Sequence, residues 1–146
     1  MSNTGLEVFD KTLQTTNIWL DDVMDTVGAD RHVAWHVLGA VLRALRDRLP
    51  LGLAAHLGAQ LPLLIRGAYY DQFQPEHRGQ PAHTEHEFLA HVAAEFGGIR
   101  PINVRAATTA VFAVLGQHLS EGLTEKVIAA LPHQIRALWP EAEVTD

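Results

Sequence analysis

Residues 40–66 recur at residues 110–136, and this internal repeat constrains the fold more than any other feature of the sequence. Laid over one another without a gap, the two segments share Ala40, Val41, Leu45, Leu49, Gly52, Leu53, Ala59, Leu61, Pro62, Ile65 and Arg66. One residue of slippage extends the alignment upstream. Trp19, Leu20, Val23, Val27, Gly28 and Arg31 then meet Phe88, Leu89, Val92, Phe96, Gly97 and Arg100. Self-similarity over this length implies one structural unit used twice. Half of a 146-residue chain is too short to hold a core alone, so the copies are expected to bury their apolar faces on each other. A single domain of two repeats follows, about residues 6–73 and 84–140, related by a pseudo-two-fold axis.

Hydrophobic spacing makes each unit helical. Phe9, Leu13, Thr16, Leu20, Val23 and Val27 recur at intervals of three and four, giving a long first helix one apolar face. Gly28 ends it, and Asp30 is placed to cap a second helix through Trp35, Leu38, Leu42, Leu45 and Leu49. Arg43, Arg46 and Asp47 fall on the opposite side of that helix, where a solvated face is expected. Two short helices follow, with a bend at Leu61–Pro62, because proline lacks a donor and drives the residue before it out of the helical region. Pro62 is expected as the first residue of the later one. Residues 71–83 carry two prolines and a glycine and read as a loop joining the halves. Thr84 with Glu87 forms a capping-box pattern for a helix to Phe96, closed by Gly97 and Gly98. Asn103 caps the next, Ser120 the one after, and Pro132 repeats the bend. No segment alternates with the period of a strand. The fold class is all-α: a helical bundle in which each repeat has two long and two short helices.

Three stretches, HLGAQLPLLIRGAYY, LRALRDRLP and ALPHQIRALWP, resemble a bacterial family of small helical proteins catalogued as domain of unknown function 2267. The resemblance runs from about Phe9 to Pro140. It implies an all-helical duplicated fold and brings no established activity, catalytic residue or cofactor.

Composition narrows the function classes. Net charge is −6, with 11 basic and 17 acidic side chains, and both halves have an acidic excess. Nucleic acid is therefore excluded as an expected partner. The absence of cysteine removes disulfides, thiolate nucleophiles and Cys-type metal sites. The N-terminus lacks the plan of a signal peptide, and the apolar run Leu49–Ile65 is too interrupted to span a bilayer, so a cytoplasmic protein without membrane attachment is expected. Catalysis is not expected: Ser2 and Ser120 are the only serines, neither in a nucleophile motif, and no glycine-rich phosphate loop is present. No cofactor is expected either.

Two groups of candidate site residues remain. Among nine histidines, His83, His86 and His91 cluster with Glu85 and Glu87 in HTEHEFLAH, a set of zinc-compatible donors. His86 and His91 stand five apart, one more than a shared helical face allows. The second group surrounds the bend. Arg66 and Arg136 can each satisfy carbonyls orphaned there, or present a fork to a carboxylate or phosphate. Tyr69, Tyr70 and Phe73 follow the first, and Trp139 the second; aromatics at such an edge serve as core or as a partner-binding patch. The function expected is a non-catalytic module that binds a protein partner or a second copy of itself. The alternative is a small-ligand or metal site at the histidines or the paired arginines.

Overall fold

The computed structural model describes residues 3–28, 30–97 and 102–140. Eight α-helices run through them: α1 (Glu7–Val27), α2 (Arg31–Arg48), α3 (Leu51–Gln60), α4 (Leu63–Tyr70), α5 (Glu85–Phe96), α6 (Val104–His118), α7 (Glu121–Ala130) and α8 (His133–Arg136). A 3₁₀ turn, Pro75–His77, lies in the linker between α4 and α5. No strand occurs among the described residues, and none of these helices is long and apolar enough to cross a membrane.

Local chemistry sets most helix ends. The Asp30 carboxylate accepts from the Val33 amide at 2.8 Å, Asn103 from Ala106 at 2.9 Å and Ser120 from Leu123 at 3.3 Å. Each answers one of the orphan donors of a first helical turn. Thr84 and Glu87 form the full capping box. Gly28 and Gly97 close α1 and α5 with φ of 71° and 75°, a left-handed conformation that glycine enters without steric cost. Gly98 and Arg100 lie outside the described residues.

α2 is the central helix, in contact with α1, α4, α5 and α6. Its buried residues run almost all the way round, from Val33 and Ala34 through Leu38, Leu42 and Leu45. The expected solvated face is consequently not one. Arg46 is 3 % exposed, and Arg43 and Asp47 are partly buried, because α5 and the linker after α4 pack over that side. α1 packs on α6, where His118 stacks on Trp19 and its Nε2 lies 2.9 Å from Asp22 Oδ2. α3 meets α7, and the Gln60 amide pairs with both the backbone N–H and the hydroxyl of Ser120 at 3.1 Å.

The two bends have the same construction. Leu61 and Leu131 leave their helices with extended backbone (φ/ψ −77/145° and −89/143°), and Pro62 and Pro132 follow at −58/152° and −58/155°. The prolines stand just before α4 and α8 rather than as their first residues. In the first joint, Arg66 Nη2 donates to the carbonyls of Ala59 (3.1 Å) and Leu61 (2.9 Å). In the second, Arg136 Nη2 donates to Ala129 (3.4 Å) and Leu131 (3.1 Å). These are carbonyls left without an amide partner where the helix stops.

Candidate functional site

The sequence-derived site residues separate into different environments. Arg66 and Arg136 hold the two joints. Tyr69 is buried and donates its hydroxyl to the Ala54 carbonyl at 2.6 Å; burial raises its pKa, so the phenol stays neutral. Trp139 is also buried, stacked on Phe112 with ring centroids 4.6 Å apart. Tyr70 lies over Gly58, where a Cβ would fall 2.4 Å from the phenol oxygen, so that glycine makes room for the ring. Phe73 sits under the Arg46 guanidinium, 4.6 Å from ring centroid to Cζ. Tyr69, Tyr70 and Phe73 thus form one aromatic cluster, with Tyr69 edge-on to Tyr70 and Phe73 tilted against it, while Arg136 and Trp139 belong to the α8 joint.

His83 and His86 are exposed at the start of α5, and they do not converge with His91. His91 instead points into a polar cleft of about 340 Å³ between α2, α5 and the linker, lined by Arg46, Asp47, His77, Arg78 and Glu95 among others. Arg46 is its anchor. Nε and Nη2 form a fork on Asp47 at 2.8 and 3.0 Å, and Nη1 donates to the carbonyls of Tyr69 (2.8 Å) and Asp71 (3.0 Å). A nearly buried guanidinium is tolerable only when so matched.

The linker opens, at the end of α4 that supplies these carbonyls, with a tight turn. The Phe73 amide donates to the Tyr70 carbonyl at 3.0 Å, Asp71 has φ/ψ of −57/128° and Gln72 has φ of 60°. That is a type II turn whose third position ordinarily calls for glycine. Gln72 is the one described non-glycine residue with positive φ, a local strain held in place by the contacts around Arg46.

On the far wall, Arg43 Nε donates to Glu95 Oε1 at 2.7 Å and its Nη1 to the Ala68 carbonyl at 3.1 Å. His91 Nε2 lies 3.7 Å from Asp47 Oδ2 and 3.9 Å from Glu95 Oε2. One ligand atom from each of Asp47, His91 and Glu95 falls within 4.8 Å of the other two; this is the one such trio found among the described residues. The pattern HTEHEFLAH groups His91 with His83 and His86, whereas the groups that lie near it in space are Asp47 and Glu95. The spacing of His91 and Glu95, one helical turn apart, was available as a signal; Asp47, distant in sequence, was not.

A second feature lies at the other end of α1. Leu6, Phe9 and Leu13 are 51, 47 and 44 % exposed. By helical spacing they continue the face on which Thr16 and Leu20 are buried. The expected apolar face is therefore covered only from Thr16 onward. The Leu64 amide meets the Thr12 hydroxyl at 3.4 Å, which brings the exposed Leu63 and Leu64 of α4 beside this stripe.

A family model described as an uncharacterized conserved protein (DUF2267) matches residues 16–138. No curated protein matches the chain.

Proposed function

The chain belongs to this family, and on that premise we propose that it is a non-catalytic interaction module that pairs with a second copy of itself through the stripe Leu6–Phe9–Leu13 and the adjoining Leu63 and Leu64. The observation that carries the reading is an apolar helical face that runs beyond the body packed beneath it. Matched residues begin at position 16, where burial along α1 also begins. In the repeat alignment Thr16 faces Glu85, the first residue of α5, so the preceding turns of α1 have no counterpart in the second half. The stripe is an addition to the duplicated core, apolar and uncovered.

A second copy is the occupant favoured by the size of the patch. The five side chains expose roughly 400 Å² of apolar surface, so a two-fold pair buries roughly 800 Å², the low end for association and suited to a weak, reversible dimer. Asp10, four residues after Leu6 and three before Leu13, borders the stripe, so identical faces bring two carboxylates near each other and the pairing is weak. Within each copy, the recurrence of long, long, short and short helices supports two units about a pseudo-two-fold axis. Sedimentation equilibrium over a wide concentration range tests the proposal. Reversible dimerisation that disappears in Phe9→Asp supports it; a monomer at every concentration refutes it.

A further inference from the structure

We infer that Asp47, His91 and Glu95 form a binding site for a single divalent transition-metal ion of the zinc class. The geometry begins with three polar atoms that converge without touching. His91 Nε2 is 3.7 Å from Asp47 Oδ2 and 3.9 Å from Glu95 Oε2, and all three atoms lie within 4.8 Å of one another. Hydrogen bonds between such groups close to about 2.7–3.0 Å, so these groups surround a gap instead of bonding across it. Ligand atoms bound tetrahedrally at the 2.0–2.2 Å distances typical of zinc stand about 3.3–3.6 Å apart. Side-chain shifts of a few tenths of an ångström bring the two His91 distances to that spacing, the two carboxylates, within 4.8 Å of each other, close by up to about an ångström, and the side chains are 11, 32 and 29 % exposed, leaving room to adjust.

Outer contacts orient the carboxylates for this role. Arg43 holds Glu95 by Oε1, which leaves Oε2 directed toward His91. Arg46 fixes Asp47 with a fork while its Nη1 is anchored on the Tyr69 and Asp71 carbonyls at the end of α4. Ligating carboxylates in metal sites are commonly held by such partners, which set ligand direction. One imidazole with two carboxylates suits zinc better than magnesium, which favours an all-oxygen octahedral shell. The three donors leave a fourth position open on the cleft. Arg43 and Arg46 already balance the two carboxylates, so a bound dication makes this site positive and favours an anionic fourth ligand.

The trio also departs from the repeat. At the aligned positions of the other half stand Gln117 for Asp47, Asp22 for His91 and Thr26 for Glu95. Packing residues and joints are duplicated; this set occurs once.

The test uses the untagged full chain with zinc chloride, by titration calorimetry and native mass spectrometry, and magnesium as the control. The expected result is one zinc per chain, weakened at least tenfold in His91→Ala and in Glu95→Gln, and unchanged in the double variant His83→Ala/His86→Ala. Circular dichroism establishes that each variant is folded, and Asp47→Asn replaces either one that is not. An absence of bound zinc in the wild type overturns the inference. So does binding that survives His91→Ala or is lost with His83 and His86.

Discussion

Arg66→Ala removes the one donor group that serves two carbonyls at the first joint, and the cost can be worked from the contacts. Arg66 Nη2 donates to Leu61 at 2.9 Å in a partly buried setting and to Ala59 at 3.1 Å in an exposed one. Water replaces the donor at Ala59 readily. At Leu61 a charged hydrogen bond is lost and a half-buried carbonyl is left short of a partner, for which about 1–2 kcal/mol is expected after allowance for solvent. The corresponding contacts of Arg136 are longer, 3.1 and 3.4 Å, so Arg136→Ala is expected to cost about 1 kcal/mol or less. Equilibrium urea unfolding is the assay, read as a lower midpoint with an unchanged slope. In a chain of this size, about 2–4 °C of Tm accompanies each kcal/mol. Arg66→Lys should fall between wild type and alanine, because an ammonium keeps the charge but loses the planar fork. Unchanged stability in Arg66→Ala, or a greater loss in Arg136→Ala, refutes the assignment of these arginines to the joints.

Two further perturbations probe the cleft wall and the start of α5. Arg46→Ala strips the fork from a partly buried Asp47 and frees the Tyr69 and Asp71 carbonyls, so it should be the most damaging arginine substitution, at about 3–5 kcal/mol in urea unfolding. A loss below that of Arg66→Ala would show that the linker and Asp47 do not depend on it. At the capping box, backbone hydrogen bonds from His83 and Thr84 hold the Glu87 carboxyl below its ordinary pKa of 4.5. Its stabilising effect is fully present above that ordinary value and is lost as pH falls through the depressed one. Glu87→Gln should therefore lower stability at neutral pH and converge on the wild type as pH falls through the depressed value, which flattens the acid limb; a loss that is the same at every pH refutes the assignment.

The features legible in the sequence are those decided by neighbours along the chain. Asp30, Thr84, Asn103 and Ser120 cap helices because their side chains reach amides three residues ahead. The joints were legible because proline acts on the adjacent turn and an arginine four residues later can reach back to it. Arg46 was misplaced for the converse reason. Helical period put it opposite the apolar stripe, but α5 and the linker cover that side, a non-local fact. The same applies to the cleft: His91 and Glu95 share one face of α5, while Asp47 arrives from α2. Phe9 and Leu13 teach a third lesson. Periodicity identified an apolar face, yet the number of turns that the body beneath would cover depended on where α4 and α6 end.

Self-pairing through α1 has a direct test because the chain contains no cysteine. Leu13→Cys places a single thiol in the exposed stripe, and Ile18→Cys places one on the opposite face of α1, at similar exposure (44 and 47 %). Under mild oxidation, followed by non-reducing electrophoresis, Leu13→Cys is expected to form a disulfide-linked dimer well ahead of Ile18→Cys. Equal rates in the two variants, or faster linkage at position 18, would contradict pairing through this face.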